Sequence, residues 1–198
     1  SGEILRSKSE TVGDVKTDTG EDITLDAASG VYVIYNINND VGVTNFHTYY
    51  GLPQSGFNCY TFAIGMYEDL CNPGYYSGRS LDLYSLSGIK LNVEKDQESL
   101  GRYIYDSTVN APIPHHSWKI ALRIRAGEDY HFMKISNSSD AAWQQKAGIG
   151  GPVMQLLGGK TPNSVTWDLY YYNRSTGKYA VYYSGFYNSS IHYMIIRD

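Results

Sequence analysis

The chain has 198 residues, 42% of them hydrophobic and 18% charged, with a formal net charge of -4. That length and composition suit one ordered domain with a sizeable core and exclude a disordered tail. No basic cluster points to nucleic acid or to an anionic membrane surface, and no apolar run approaches the roughly 20 residues of a membrane-spanning helix.

Residues 1–30 are polar and charged, with little periodicity. The run 31–35 is of strand type and stops at the turn signal 36–40, and residues 41–57 are loop-rich. We therefore expect an N-terminal arm with short strands over 1–50 and a single domain over 51–198. From Asn58, a natural N-cap, the pattern turns helical. Phe62, Ala63, Met66, Tyr67 and Leu70 share one apolar face, and the helix is expected to stop at Cys71-Asn72-Pro73-Gly74. Residues 74–90 read as loop. A second helix is expected within 91–108, with Asp96, Gln97 and Glu98 in its first turn. Runs 118–125, 130–135 and 142–146, joined by short polar turns, predict an antiparallel meander. A glycine-rich stretch, 148–159, follows. Three more strands are expected at 167–172, 178–183 and 191–196, the first two forming a hairpin through 173–177. Helix first and antiparallel sheet after is an α+β order.

Two residues carry the chemistry. Cys59 sits at the expected start of the first helix, where unpaired backbone N–H groups and the helix dipole favour thiolate over thiol. His131 lies on an expected strand. A thiol and an imidazole brought together from a helix start and a strand make a nucleophile and its base. Asp129 is expected on the opposite face of that strand and is set aside as a partner for His131. Among the other histidines, His47 is unassigned, His115 and His116 read as a loop or rim pair without metal-site spacing, and His192 reads as structural, or as the base in place of His131 under a different strand order. The only other cysteine, Cys71, reads as structural. A Cys59–Cys71 bridge is excluded if one helix joins them: twelve residues at 1.5 Å each put them roughly 18 Å apart.

This order, over residues 54–70 and 118–148, resembles the papain-like cysteine peptidases and amidases of the NlpC and CHAP types. The likeness rests on Asn58-Cys59-Tyr60 with Ala63 and Gly65, on Asp129-Tyr130-His131-Phe132, and on Trp143-Gln144-Gln145-Lys146 with Gly148. It implies a papain-like fold, with the helix carrying the cysteine packed on an antiparallel sheet. It places at Gln145 the polar residue that orients the imidazole, a position where similar chains carry histidine. Glutamine can accept from the ring N–H but brings no charge. Asp168 is the alternative orienting residue. The likeness also suggests Gln54 as an oxyanion donor and Tyr60 and Trp143 as cleft walls.

The expected activity is cleavage of peptide or amide bonds through an acyl-enzyme, with no metal or organic cofactor, and the likeness implies cell-wall peptides as a candidate substrate. Acyl transfer to an amine would use the same residues. A peptide or peptidoglycan-like substrate and a monomer are expected. A start at Ser1 without methionine and a Tyr-rich, lysine-poor composition suggest a secreted or surface protein cut from its leader. The rival reading is a non-catalytic secreted binding module, whose face would be formed by Tyr170–Tyr172, Tyr182 and Tyr183. Under either reading, a propeptide-like arm covering the cleft is a candidate role for residues 1–50.

Overall fold

The computed structural model describes residues 2–8, 33–44 and 53–198. Within them the protein is α+β, with antiparallel strands and few helices. The strands, in chain order, are β1 (Glu3–Ile4), β2 (Val33–Asn36), β3 (Val41–Thr44), β4 (Tyr103–Ser107), β5 (Ser117–Arg125), β6 (Asp129–Ser136), β7 (Gln144–Lys146), β8 (Val153–Leu156), β9 (Leu169–Asn173), β10 (Lys178–Tyr183) and β11 (His192–Arg197). The α-helices are α1 (Cys59–Ala63) and α2 (Leu86–Ser99). No helix among the described residues is long and apolar enough to cross a membrane.

An eight-stranded sheet runs β2-β3-β8-β7-β6-β5-β11-β4, and a three-stranded one runs β1-β9-β10. The meander β5-β6-β7 and the β9–β10 hairpin follow the sequence pattern, because each joins neighbouring runs through a short turn. The central strands are covered on both faces, and side-chain alternation sorts residues between two cores. Ile120, Leu122, Ile124, Tyr130, Phe132, Met194 and Ile196 pack under α1 and α2. Ala121, Met133 and Tyr193 face the other way, into a second core with Trp167, Tyr170, Tyr179 and Tyr187. His131 alternates with Phe132 and so belongs to this second face.

Several elements depart from expectation. Helix α1 is only five residues long. Asn58 caps it as expected: its side chain accepts from Thr61 N–H, and Thr61 Oγ1 accepts from Asn58 N–H. Gly65, at φ 74°, then ends it with Met66 N–H bonded back to the Thr61 carbonyl. Met66, Tyr67 and Leu70 thus lie beyond the helix. The chain doubles back so that Asn58 Nδ2 donates to the Cys71 carbonyl at 2.9 Å. The length argument against a Cys59–Cys71 bridge therefore fails, although both thiols are free.

The second helix starts at Leu86, capped by Ser85, whose Oγ accepts from Gly88 N–H. Asp96 and Gln97 are near its end and not in its first turn. Tyr103 and Ile104 belong to β4. Two further strands were unforeseen. β8 lies in the glycine-rich stretch, and β3 lies in the expected loop after residue 40. Strands β2 and β3 are thereby built into the main sheet, β3 pairing with β8.

Candidate functional site

The site lies where α1 meets β6 and β7. These two strands share one register pair, Lys134 opposite Gln144. Further along β6, the Phe132 backbone N–H serves the Cys59 thiol instead. Across the sheet, His131 Nε2 sits 2.7 Å from Gln145 Oε1. A carbonyl oxygen only accepts, so this contact fixes the ring proton on Nε2 and leaves Nδ1 as an acceptor. Tyr187 stacks on the imidazole at 5.0 Å between ring centroids, and Trp167 meets it edge-on at 5.8 Å.

The unforeseen member is Ser7. Its Oγ is 3.0 Å from His131 Nδ1 and 3.1 Å from the Tyr187 hydroxyl, and it lies near enough to the Cys59 thiol to favour its ionised form. One hydroxyl from the N-terminal segment thus touches both the nucleophile candidate and the base candidate. Backbone N–H groups of Ser7 and Lys8 donate to the two oxygens of Asp129 at 3.0 and 2.9 Å, and Tyr187 donates to the same carboxylate at 2.8 Å.

Asp129 therefore does not point away from His131. Residues two apart on a strand share a face, and it was the neighbour Tyr130 that should have been placed opposite. The link between carboxylate and imidazole is indirect, through Ser7 and Tyr187.

Electrostatics follow from burial. Cys59 is fully buried, and desolvation pushes its thiol up to about 12. The Asp129 carboxylate adds to the rise, while the Ser7 hydroxyl, the Phe132 N–H and Lys146 oppose it. The expected thiolate is absent from this closed arrangement. A five-residue helix has a weak dipole, and a desolvated thiol stays neutral. Burial lowers His131 to about 4, against a small opposing effect of Gln145. Lys146 is fully buried too. Its ammonium donates to the Gly148 and Ile149 carbonyls and lies 4.9 Å from the Phe57 ring centre, and desolvation holds it well below the usual lysine range.

His131 makes stability depend on acid. Its folded value lies below the ordinary 6.5, so as pH falls the unfolded chain takes the proton first. Stability is lost from about pH 6.5 downward and levels off below about 4. The span corresponds to about 3 kcal/mol. Urea unfolding at pH 7 and pH 4 should show wild type losing about that much more than His131→Gln. Equal losses in the two proteins would mean that His131 titrates normally.

The remaining candidates are dispersed. Gln54 lies in a 3-10 turn, where its amide donates to the Gly150 carbonyl at 3.1 Å and to the Tyr179 hydroxyl at 3.2 Å, so it is engaged away from the expected oxyanion role. Tyr60 is core and no cleft wall: it is fully buried and donates to Asp96. Trp143 is likewise buried, against Tyr193. Asp168 accepts from Gly185 N–H, shaping a turn.

His115 and His116 are exposed next to one another before β5, and His192 pairs with Asp106. His47 lies outside the described residues. Tyr170 is buried, and Tyr182 and Tyr183 are exposed. Among the described residues, no three His, Cys, Asp or Glu side chains converge as a metal site would. Compared with protein-family models, curated proteins and solved structures, the chain finds no match.

Ser7 gave no local signal, since it lies 124 residues from His131 in sequence. Lys146 was visible as part of the motif around Gln145, but not as a buried charge near the thiol.

Proposed function

We propose that the protein is a thiol-dependent peptide or amide hydrolase of papain-like arrangement, with Cys59 as nucleophile, His131 as acid and base, and Gln145 as the orienting residue. The observation that carries the reading is the disposition of the His131 ring. Its Nε2–H is held by Gln145, and its Nδ1 faces the hydroxyl that also contacts the Cys59 thiol. A base needs its N–H on an acceptor and a lone pair for the nucleophile; Gln145 provides the first, and Nδ1, now against Ser7 Oγ, is the lone pair this reading assigns to the thiol.

In the reacting state Ser7 withdraws and the thiol proton passes to His131 Nδ1. The Cys59 sulfur adds to an amide carbonyl, and the oxyanion is stabilised by unpaired backbone N–H groups at the start of α1. His131 gives its proton to the leaving amine. Water, deprotonated by His131, then cleaves the thioester and frees the thiol. Gln145 holds the ring but supplies no charge, so the imidazolium is less stabilised than beside a carboxylate.

The test uses Ser7→Pro, which removes both the Ser7 hydroxyl and its N–H, assayed against a mixed library of extended peptides. Turnover is expected. Adding Cys59→Ala should abolish it, and adding His131→Ala should lower kcat/KM by about 10²–10⁴-fold. Unchanged turnover without His131 would remove the mechanism.

A further inference from the structure

Residues 2–8 do more than cover a thiol. They bind chiefly through their backbone, as an extended peptide would. β1 pairs antiparallel with β9, Glu3 opposite Tyr172 and Ile4 opposite Tyr171, and Leu5 N–H continues the ladder to the Tyr170 carbonyl at 2.9 Å. The Arg6 backbone passes so close to Gly148 that a Cβ there would stand 2.6 Å from the Arg6 carbonyl oxygen. Gly148 also has φ 63°, so this floor is reserved for glycine on two counts. Ser7 and Lys8 then hand successive N–H groups to Asp129. Two residues are fully enclosed, while Glu3, paired with Arg174 at 2.7 Å, and Arg6, 4.8 Å over the Phe186 ring, are partly buried. Leu5 is buried in the core against β9, and Ser7 is fully buried beside Cys59 and His131.

A plain structural arm has no need of this design. A buried carboxylate, whose desolvation is costly, takes two of its four hydrogen bonds here from the backbone of a segment more than a hundred residues away in sequence, the others coming from Tyr130 N–H and the Tyr187 hydroxyl. The edge of β9 is a template for any extended chain, which is how β-augmentation recognises peptides: ladder bonds supply affinity and alternate pockets supply selectivity.

We infer that residues 3–8 occupy the path of the peptide ligand. The site takes an extended peptide that adds as a strand to β9 in place of β1 and gives two consecutive backbone N–H groups to Asp129. It presents a branched apolar side chain where Leu5 lies and a small one where Ser7 lies. The chain's own segment is thus an internal competitor. The binding mode stands on geometry alone, and its use as a substrate mode rests on the hydrolase reading above.

The test adds a capped, fluorescent peptide of sequence Gly2–Lys8 to two proteins: full-length Ser7→Pro and the chain lacking residues 1–8. The first keeps every residue in case the second does not fold. Saturable binding is expected, together with at least tenfold protection of Cys59 from iodoacetamide. A peptide carrying Leu5→Asp, or proline in place of Ser7, should bind at least tenfold more weakly. Failure of the peptide to bind or protect while Cys59 labels freely would overturn the inference, as would equal binding of a scrambled peptide.

The two readings separate. Binding and protection without any Cys59-dependent turnover would sink the hydrolase and leave this inference standing. Cys59-dependent turnover that the peptide does not inhibit would sink this inference alone.

Discussion

In the full chain, Cys59 should react with iodoacetamide about 10³-fold more slowly than an ordinary cysteine at pH 7.5. An unperturbed thiol, with a pKa of about 8.5, is roughly a tenth thiolate at that pH. A thiol at about 12 is ionised only to a few parts in 10⁵, and only the thiolate attacks. The rate should climb with pH through the whole accessible range, with no plateau near neutrality. Ser7→Pro should raise it steeply by admitting water to the sulfur, because relief of desolvation, the main cause of the raised value, outweighs the loss of the Ser7 hydroxyl that favours thiolate.

Cys71 provides the internal comparison. It is buried, its thiol is pushed up to about 11 chiefly by desolvation, and it does not touch the N-terminal segment's hydroxyl. Ser7→Pro should therefore accelerate Cys59 and leave Cys71 unchanged, as read by mass spectrometry of the two peptides. Fast labelling of Cys59 near pH 6 in the unaltered chain would mean a standing thiolate–imidazolium pair and would refute the closed arrangement.

The parts of this site that were legible in the sequence are those encoded over a few residues. Asn58 and Thr61 are three apart, so a capping box needs no tertiary information. The alternation of 118–125 and 130–135 decided which side chains share a face, and its correct use would also have placed Asp129 beside His131. The contact between His131 and Gln145 was not in the periodicity. Gln145 was singled out through the resemblance, and the structure places its Oε1 2.7 Å from His131 Nε2. Cleft walls were misjudged because an aromatic residue beside a nucleophile looks the same in sequence whether it lines a groove or fills a core. Tyr60 and Trp143 do the latter. Ser7 was beyond reach for a different reason: a serine in a polar segment is recognised only by the distant groups it meets.

The second large effect concerns Asp96, whose place was also misread. A carboxylate in an expected first turn suggests a dipole contact with the helix N-terminus, yet Asp96 lies near the C-terminal end of α2, fully buried. Its tolerance there is explained by four donors. Oδ2 accepts from the Tyr60 hydroxyl at 2.6 Å and Gly74 N–H at 2.7 Å, and Oδ1 accepts from Ser77 N–H at 2.9 Å and Ser77 Oγ at 2.7 Å. The residue thus ties α2, the turn at Gly74–Ser77 and helix α1 to one point.

Asp96→Ala should destabilise the fold by about 3–5 kcal/mol, the range for stripping a buried, multiply bonded charge from its partners. Domains of this kind have about 5–15 kcal/mol to lose, so the variant should be marginal at 37 °C. Asp96→Asn, which keeps the shape but turns one acceptor into a donor, should lose less, about 1–3 kcal/mol. Urea unfolding at pH 7 measures both, and a loss below about 1 kcal/mol for Asp96→Ala would show that water replaces the carboxylate. The consequence reaches the site, because Tyr60 is the residue after Cys59. With this hydrogen bond weakened, α1 loses one of its ties to α2, so Asp96→Asn should also loosen Cys59. Faster alkylation of Cys59 in a variant that is still folded would mean that the position of this thiol is set by a carboxylate that never touches it.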